Sequence, residues 1–263
     1  MFPRLDLPVA MGWRSVLFAN WPVDPAVVDA HLPDRLAADT YDGDAWLSVV
    51  PFTNVAVRPK GLPETVGFPL PELNLRTYVT LDGEEGRDGP GNGEGRRDGR
   101  DEGTAGVYFF SLDADGFLGT VGARLFHHLP YYYADISLTS TGGRVAFTSR
   151  RRHPGARPCA FDATYEPTGA EFRSDSDSLA AFLTERYRYY TETPGGDLRY
   201  ATVRHGRWPL YEADAEFREN EVFETNGFAT PETDPLTLYS PGVDVTASGS
   251  RSIAGADAVE RPG

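Results

Sequence analysis

The chain has 263 residues, of which 40% are hydrophobic and 24% charged, a composition typical of a globular protein with a substantial core. Its 28 glycines and 21 prolines indicate many turns and short elements, which disfavours an all-helical bundle. The formal net charge of −14 repels phosphate backbones and anionic lipid surfaces, so we expect neither a nucleic-acid nor a membrane partner.

Strands dominate the elements predicted along the chain, because runs rich in β-branched and aromatic residues recur. The predicted strands are Arg14 to Asn20, Trp46 to Phe52, Leu73 to Leu81, Val107 to Asp113, Tyr133 to Thr139, Arg144 to Arg150, Cys159 to Glu166, Leu198 to Arg204 and Thr237 to Val245. Asp42-Gly43 and Thr141-Gly142-Gly143 supply residues that tolerate positive φ, as tight hairpins require. We therefore predict a mostly antiparallel sheet.

Three helices are predicted between the strands. Asp24 caps the phrase PAVVDAHL, and Asp115 caps a second helix with an apolar face through Leu125. The third helix runs from about Ser176 to Thr191, with leucine, phenylalanine and tyrosine side chains along one stripe. Beyond Val245 the residues are small and polar, which is typical of a fraying tail.

The segment from Asp82 to Gly103 differs in composition from its surroundings. It holds eight glycines and twelve charged residues and no apolar side chain, so burial cannot offset the entropy of ordering it. It contains no phosphate-binding glycine motif. We predict a disordered loop between two strands.

Lys60 is the only lysine among the 25 basic residues. An excess of carboxylates with almost no lysine is typical of a halophile's protein, because dense counterions screen the repulsion between carboxylates. The alternative is a high-GC genome that favours arginine codons, which explains the missing lysine but not the acidity.

Cys159 is the single cysteine, so neither an intrachain disulfide nor a cysteine-based zinc cluster can form. The stretch from Met1 to Arg14 has no apolar core typical of a signal peptide, and no run of the sequence approaches the length of a membrane span. We therefore expect a soluble, cytoplasmic protein.

Seven phrases spread along the chain resemble one known family. They are GWRSVLFANWPVDPAVVDAHLP (12 to 33), YDGDAWLSVVPF (41 to 52), FPLPELNLRTYV (68 to 79), GVYFFSLDAD (106 to 115), LPYYYADI (129 to 136), LTERYRYY (183 to 190) and LYSPGVDV (238 to 245). Together they are similar to the YqjF-like family of uncharacterised proteins, within the acetoacetate decarboxylase-like superfamily. The resemblance covers about residues 12 to 246, with residues 82 to 103 as an extra insertion.

The resemblance implies a mainly β fold with a few helices (α+β). It implies a single domain over residues 1–246, an antiparallel cone-like β-barrel of the acetoacetate decarboxylase-like type with a pocket inside. A flexible polar tail over residues 247–263 would follow. The strands predicted from the pattern alone are compatible with this fold.

The chemistry of that superfamily does not transfer directly to this sequence. In the decarboxylase branch, a lysine in a Phe-Pro-Lys-Lys phrase forms a Schiff base with a keto acid, and its lysine neighbour depresses its pKa. The similar phrase here is Leu129-Pro130-Tyr131-Tyr132, so both lysines are replaced. A Schiff base requires a neutral primary amine, which neither tyrosine nor arginine provides. We interpret Lys60, in RPKGLPE, as an exposed loop residue, and Schiff-base decarboxylation is therefore disfavoured.

Alternation along the third predicted strand groups its polar residues on one face. That face carries Glu72, Asn74, Arg76 and Tyr78. Neighbouring polar side chains suit an interior site, and the resemblance implies a pocket carboxylate in this region, for which Glu72 is the candidate. The alternative is that this face is solvated and the leucine face forms the core, as is usual for an antiparallel strand.

Other candidates lie on the first strand and in the tyrosine repeat. The resemblance implies a pocket arginine from the first strand region, which Arg14 matches, and a guanidinium there would hold a substrate carboxylate. The alternative for Arg14 is an internal salt bridge to Glu72 or an aspartate. Tyr131 is a candidate hydrogen-bond donor or general acid, and Tyr132 a candidate ligand contact, whereas we expect Tyr133 to pack.

The histidines point to no metal chemistry. His205 and Trp208 are candidates for the pocket mouth, with a buried, hydrogen-bonded imidazole as the alternative that we favour for His205. His127 and His128 are interpreted as capping the C-terminus of the second helix. No metal-ligand spacing and no G-x-S-x-G phrase occurs, so we expect no metal, no cofactor and no serine hydrolase site.

Three functions are compatible with these residues. The leading hypothesis is a barrel that binds a small, carboxylate-bearing or partly apolar ligand in its interior without Schiff-base chemistry. The second is a lyase or isomerase acting on a small keto acid, with Arg14 holding the carboxylate and Glu72 with Tyr131 moving a proton. The third is a subunit whose barrel serves assembly only, which predicts an interior filled by side chains. The superfamily's decarboxylases form large oligomers, and the sequence leaves the oligomeric state open.

Overall fold

The computed structural model describes residues 8–81, 104–115 and 129–253 of the chain. Within these ranges, thirteen strands form one sheet. The strands are β1 Val9–Val23, β2 Leu36–Ala38, β3 Ala45–Pro59, β4 Phe68–Leu81, β5 Gly106–Ala114, β6 Tyr131–Thr141, β7 Arg144–Arg151, β8 Ala160–Phe172, β9 Arg188–Glu192, β10 Leu198–His205, β11 Leu210–Asn220, β12 Leu236–Ala247 and β13 Arg251–Ser252.

Helices in the described ranges are short. They are α1 Pro25–Asp29, a 3-10 helix Glu64–Val66, α2 Leu179–Thr184 and α3 Val222–Thr225. The predicted helix that begins at Asp115, the pair His127 and His128 and the insertion at 82–103 lie outside the described residues. Among the described residues, no helix has both the length and the apolar character needed to cross a bilayer.

The predicted local structure is largely confirmed. All nine predicted strands are present, and all their pairings are antiparallel except those of β5 with β6 and β9. Gly142 and Gly143 have φ of 61° and 92° in the turn between β6 and β7, as the hairpin prediction requires. The Asp24 side chain accepts a hydrogen bond of 2.8 Å from the Ala26 amide and so caps α1.

The prediction of a helix from Ser176 to Thr191 was wrong in its extent. Ser178 caps α2, which ends at Thr184, and residues from Arg188 onward form β9. Strand β9 pairs with both β10 and β5, which buries Tyr189 and Tyr190. These aromatic side chains pack well in a sheet, so tertiary pairing outweighs the helical spacing of the apolar residues.

Four strands were not predicted: β2, β9, β11 and β13. Strand β11 alternates apolar and charged residues, but alanines fill two of its inward positions and weaken the pattern. Of the tail expected to fray beyond Val245, the part up to residue 253 instead continues β12 to Ala247 and pairs as β13 with β10, whereas residues 254–263 lie outside the described residues. Two-residue β13 is too short to leave a periodic signal.

The strand order returns to its start. Strand β1 pairs with β3, β3 with β4, β4 with β5, β5 with β9, β9 with β10, β10 with β12 and β12 with β1. We call these seven strands the inner circuit. A second path leads from β5 through β6, β7, β8 and β11 to β12. Strands β1, β3 and β4 therefore lie between two compartments.

Both faces of β4 are buried as a result. Leu73 and Leu75 pack in the larger apolar core with side chains of β7 and β8, including Phe147 and Phe161. On the opposite face, Glu72 is only 4% exposed. The solvated-face alternative for the polar residues of β4 was therefore wrong, because the chain covers both sides of this strand.

Candidate functional site

A cavity of about 450 Å³ lies within the inner circuit, and all seven strands of the circuit line it. Aliphatic side chains such as Met11, Leu70 and Leu112 form much of its wall. Rings line it too, namely Trp13, Phe52, Phe68, Phe109, Tyr131, Tyr189, His205 and Trp208. The remaining lining residues are polar: Asn54, Arg58, Glu72, Arg76, Thr184, Arg186 and Arg188. This volume falls within the range of small-molecule sites.

Glu72 is the only acidic residue among the described residues that line the cavity. Its carboxyl Oε2 accepts hydrogen bonds from Tyr131 Oη at 2.9 Å and from Asn54 Nδ2 at 3.2 Å. Burial raises the pKa of Glu72 to about 7, although these hydrogen bonds act in the opposite direction. The carboxyl can therefore hold or release a proton near neutral pH.

Tyr131 and Asn54 hold this carboxyl from two elements. Tyr131 begins β6, and burial together with the Glu72 carboxyl raises its pKa well above the ordinary value, so its hydroxyl stays protonated as a donor. Asn54 on β3 also donates to the Leu70 carbonyl at 3.1 Å, which fixes the amide. The sequence analysis did not identify Asn54, because its role depends on pairing of β3 with β4.

Arg76 lies farther along β4 and also lines the cavity. Its Nη2 donates to the Leu183 carbonyl at 3.1 Å, and its guanidinium carbon lies 5.4 Å from the Phe18 ring centroid. Its Nε is buried without a hydrogen-bond partner, and no described carboxylate lies within salt-bridge distance of it. Arg76 therefore has no ion-pair partner among the residues that the structure describes.

Three more arginines line the cavity, and each has contacts of its own. Arg186 pairs with Asp39 at 2.7 Å, and Arg58 pairs with Glu64 at 3.2 Å. Arg188 lies over the Tyr200 ring at 4.6 Å. Four guanidinium groups thus surround a cavity with one buried carboxyl.

Aromatic rings form a continuous wall beside Arg76. Trp13 and Trp208 stack at 5.7 Å, and Trp208 meets the Phe18 ring edge-on at 5.1 Å. His205 packs against Trp208 and stacks on Tyr187 at 4.7 Å. Burial lowers the pKa of His205, which favours the neutral imidazole. His205 and Trp208, which were both candidates from the sequence, line the cavity. Trp13 lines it too, but the sequence analysis did not identify it.

Arg14 does not line this cavity. Its guanidinium forms an ion pair with Asp244 at 2.5 Å and donates to the Val243 carbonyl, and 41% of its side chain is exposed. Arg14 forms a salt bridge to an aspartate, as the alternative predicted, but at the surface rather than internally, and it does not occupy the expected position in this pocket. Strand pairing explains this, since β12 places Asp244 beside the first strand.

Three other predicted ligand contacts lie outside the lining. Asn74 is buried, and its side chain acts with those of Tyr131 and Asn54 against the rise that burial causes in the pKa of Glu72. Tyr78 is fully buried, where its hydroxyl donates to the Leu183 carbonyl at 2.8 Å. Tyr132 lies under the Arg151 guanidinium at 4.1 Å, because successive residues of β6 point to opposite faces.

Lys60 is exposed in the turn after β3 and is not among the cavity residues, as the sequence predicted. No group of three or more potential metal-ligating His, Cys, Asp or Glu side chains occurs in the described ranges. The ionisable chemistry of this cavity therefore rests on carboxyl, phenol, imidazole and guanidinium groups.

Comparison with known proteins identifies the family of this chain. The chain matches the profile of the DUF2071 family, described as an uncharacterized conserved protein, over residues 10–89 and 96–244. It is 42% identical over 234 residues to the uncharacterized protein YqjF of Bacillus subtilis (strain 168), which is 89% of this chain and 87% of that protein.

Solved structures share the fold at low identity. The acetoacetate decarboxylase of Legionella pneumophila superposes with a TM-score of 0.60 at 11% identity over 94% of this chain and 87% of that one. An acetoacetate decarboxylase-like enzyme of Sphingomonas wittichii RW1 gives 0.58 at 16% identity, with 95% and 93% covered. The enduracididine biosynthesis enzyme MppR, complexed with pyruvate, gives 0.61 at 12% identity, with 94% and 90% covered. The chain belongs to the DUF2071 family of uncharacterised, YqjF-like proteins and has the acetoacetate decarboxylase-like fold.

Proposed function

We propose that this protein binds a small carboxylate-bearing molecule in the cavity of the inner circuit, without forming a Schiff base. The observation that carries the proposal is the charge of the lining, where four arginines surround one buried carboxyl in an otherwise largely apolar wall. A guanidinium in a water-poor cavity is a strong partner for a carboxylate. Arg76 is the proposed anchor, because no described carboxylate neutralises it.

The arginines of the cavity contrast with the acidic net charge of the whole chain. The whole chain carries a net charge of −14, so its outer field repels anions. A cavity rich in arginine within such a protein favours a specific anion over non-specific attraction. The solved structure of MppR holds pyruvate, which supports a small organic acid as the ligand class proposed for this chain.

Noncovalent binding follows from the position of the amine groups. Lys60 carries the only lysine ammonium of the chain and lies exposed in a turn, apart from the cavity lining. A phenol at Tyr131 cannot form an imine. The ligand would therefore be held by ion pairing, hydrogen bonds and apolar contact alone.

Three wider features belong to the same proposal. The return of the strand order to its start supports a cone-like β-barrel, as the sequence resemblance implied. A reducing cytoplasmic location fits the single buried cysteine, Cys159.

Assembly into homo-oligomers, as implied by the superfamily, would leave a cavity within one chain intact. A role in assembly alone predicts an interior filled by side chains, and the cavity of about 450 Å³ counts against it.

Calorimetric titration with a series of short and long monocarboxylates tests the proposal. We expect at least one acid to bind the wild-type protein, Arg76→Gln to weaken it about tenfold or more, and Arg14→Gln to leave it unchanged. Borohydride treatment with a bound keto acid should add no mass to the protein. Failure of every acid to bind, or a trapped adduct at Lys60, would contradict the proposal.

A second candidate function is proton transfer on a bound keto acid, as in a lyase or isomerase. It is favoured by the hydrogen bond of 2.9 Å between Tyr131 and Glu72 and by the pKa of Glu72 near 7. Exchange of the α-protons of a bound keto acid in D₂O, followed by NMR, tests it. Glu72→Gln should abolish enzyme-dependent exchange and keep binding, whereas unchanged exchange would remove Glu72 from the mechanism.

A further inference from the structure

The two polar ends of the cavity lie far apart. Glu72 and Arg76 share one face of β4, and four residues of extended strand separate their Cα atoms by about 13 Å. Glu72 is bonded to Asn54, which lies opposite Leu70 toward the beginning of β4. Arg76 instead contacts the Tyr78 ring toward the strand's end. The ring nearest to the Arg76 guanidinium is Phe18, at 5.4 Å, and among the described contacts neither a hydrogen bond nor an ion pair joins Arg76 to Glu72.

A three-carbon acid cannot contact both ends. Its terminal heavy atoms are about 4 Å apart, against a Cα separation of about 13 Å between the two residues, so we expect a pyruvate-sized molecule on the Arg76 guanidinium not to reach the Glu72 carboxyl. Most of the side chains that line the cavity are apolar, among them Val203 and Phe109, which lies opposite Arg76 in the pairing of β4 with β5. A short acid would leave that surface without a partner, and burial of apolar surface is the main source of affinity in such sites.

We propose that the ligand is an amphipathic monocarboxylate with an apolar body of about ten heavy atoms, rather than a short keto acid. Its carboxylate pairs with Arg76, its body lies along the wall that includes Phe109, and its far end meets Glu72 and Tyr131. This inference rests on the proposed function, because it assigns a size and an orientation to the ligand of the same cavity.

Three probes of matched chemistry test the assignment: 3-phenylpropanoate, propanoate and the alcohol 3-phenylpropanol, each titrated calorimetrically into the full chain. We expect 3-phenylpropanoate to bind at least about 30-fold more tightly than propanoate, because the phenyl group is buried. We expect the alcohol to bind about tenfold more weakly than the acid, because it lacks the charge that pairs with Arg76. In Arg76→Gln the acid and the alcohol should bind alike.

Neighbouring residues of β5 supply matched variants. Phe109 lines the cavity, whereas Phe110 packs against Phe228 on the opposite face at 4.8 Å. Phe109→Ala should reduce the preference for phenylpropanoate over propanoate about fivefold, and Phe110→Ala should leave it unchanged. Val57→Phe, which adds bulk to the cavity wall, should weaken phenylpropanoate more than propanoate and serves if Phe109→Ala does not fold.

The possible failures can be told apart. Equal affinity for propanoate and phenylpropanoate would overturn the size assignment and leave the proposed function standing. A preference that survives both Phe109→Ala and Val57→Phe would place the apolar body elsewhere and overturn the orientation. Binding of none of the three probes, or equal binding of acid and alcohol by the wild-type protein, would overturn both proposals.

Discussion

The Glu72 carboxyl is buried without a cationic partner among the described residues, and hydrogen bonds from Tyr131 and Asn54 are its compensation. Such bonds favour the ionised form, but desolvation is the larger effect and the pKa rises to about 7. Asp113 shows the other solution, since it is equally buried but pairs with Arg151 at 2.7 Å. The ion pair offsets only part of the desolvation, because burial still raises the pKa of Asp113 to about 6.

Glu72→Gln should stabilise the protein increasingly as the pH rises. The pKa of Glu72 is 4.5 in the unfolded chain and about 7 in the native protein, so the native state binds more protons between these values. Stability contributed by Glu72 therefore falls as the pH rises through this window and is constant above it. The unfolding free energy of the variant relative to wild type should increase by roughly 3 kcal/mol between pH 4 and pH 8.

Urea unfolding of both proteins at several pH values measures this difference. Glu166→Gln serves as the control, because Glu166 forms only an exposed ion pair with Arg144. A difference between Glu72→Gln and wild type that does not change with pH would show that the carboxyl is not protonated in the native state.

At the scale of elements, β1, β3 and β4 carry the site because each strand is buried on both faces. Val16 and Phe18 face the cavity side of β1, whereas Leu17 and Ala19 pack in the larger core. The same alternation on β4 separates Glu72 and Arg76 from Leu73 and Leu75. Period-two alternation is a local property, so it could be read in the sequence. It usually indicates one solvent-exposed face, but both faces of these strands are buried.

Gly242→Ala should disrupt the pairing of β1 with β12 next to the cavity. Gly242 has a φ of 127°, and an added Cβ would lie 1.9 Å from the Trp13 carbonyl oxygen. Both the backbone conformation and the contact exclude alanine, so we expect a loss of about 3 kcal/mol or more in unfolding free energy. Gly142→Ala is the matched control, with a φ of 61° and open space around the added atom, and should cost about 1 kcal/mol. Similar losses in the two variants would show that the close approach at Trp13 is relaxed in solution.

At the scale of the whole molecule, charge separates into an acidic exterior and a cavity lined by arginines. The net charge of −14 is spread over a chain with a calculated isoelectric point near 4.8. Repulsion among exposed carboxylates destabilises the compact state at low ionic strength, and salt screens it. Adaptation to high salt stays a prediction from composition that this charge distribution makes testable.

Potassium chloride should therefore stabilise the protein at neutral pH. We expect the thermal midpoint at pH 7 to rise on the order of 5 °C between 0.1 M and 2 M KCl, as repulsion is screened. Near pH 5 the net charge is close to zero, so the same salt change should have little effect. A midpoint at pH 7 that does not respond to KCl would leave the high-GC genome as the explanation for the missing lysines.

Much of this protein was readable from its residues. Strand positions follow from side-chain alternation and hairpins from residues that accept positive φ, and both are local properties. The family resemblance supplied the fold, and it also directed attention to Glu72 and Tyr131. The expectation that no imine forms also followed from composition, because the only lysine of the chain lies in a loop phrase.

Which side chains meet was decided only by the tertiary structure. Arg14 and Arg76 are both arginines that the sequence proposed for the pocket. Pairing with a strand 230 residues away places Arg14 beside Asp244. Closure of the inner circuit leaves Arg76 in the cavity lining. Asn54 became part of the site through its register with β4. The physical reason is that the environment of a charge depends on strands distant in sequence, whose pairing no local pattern encodes.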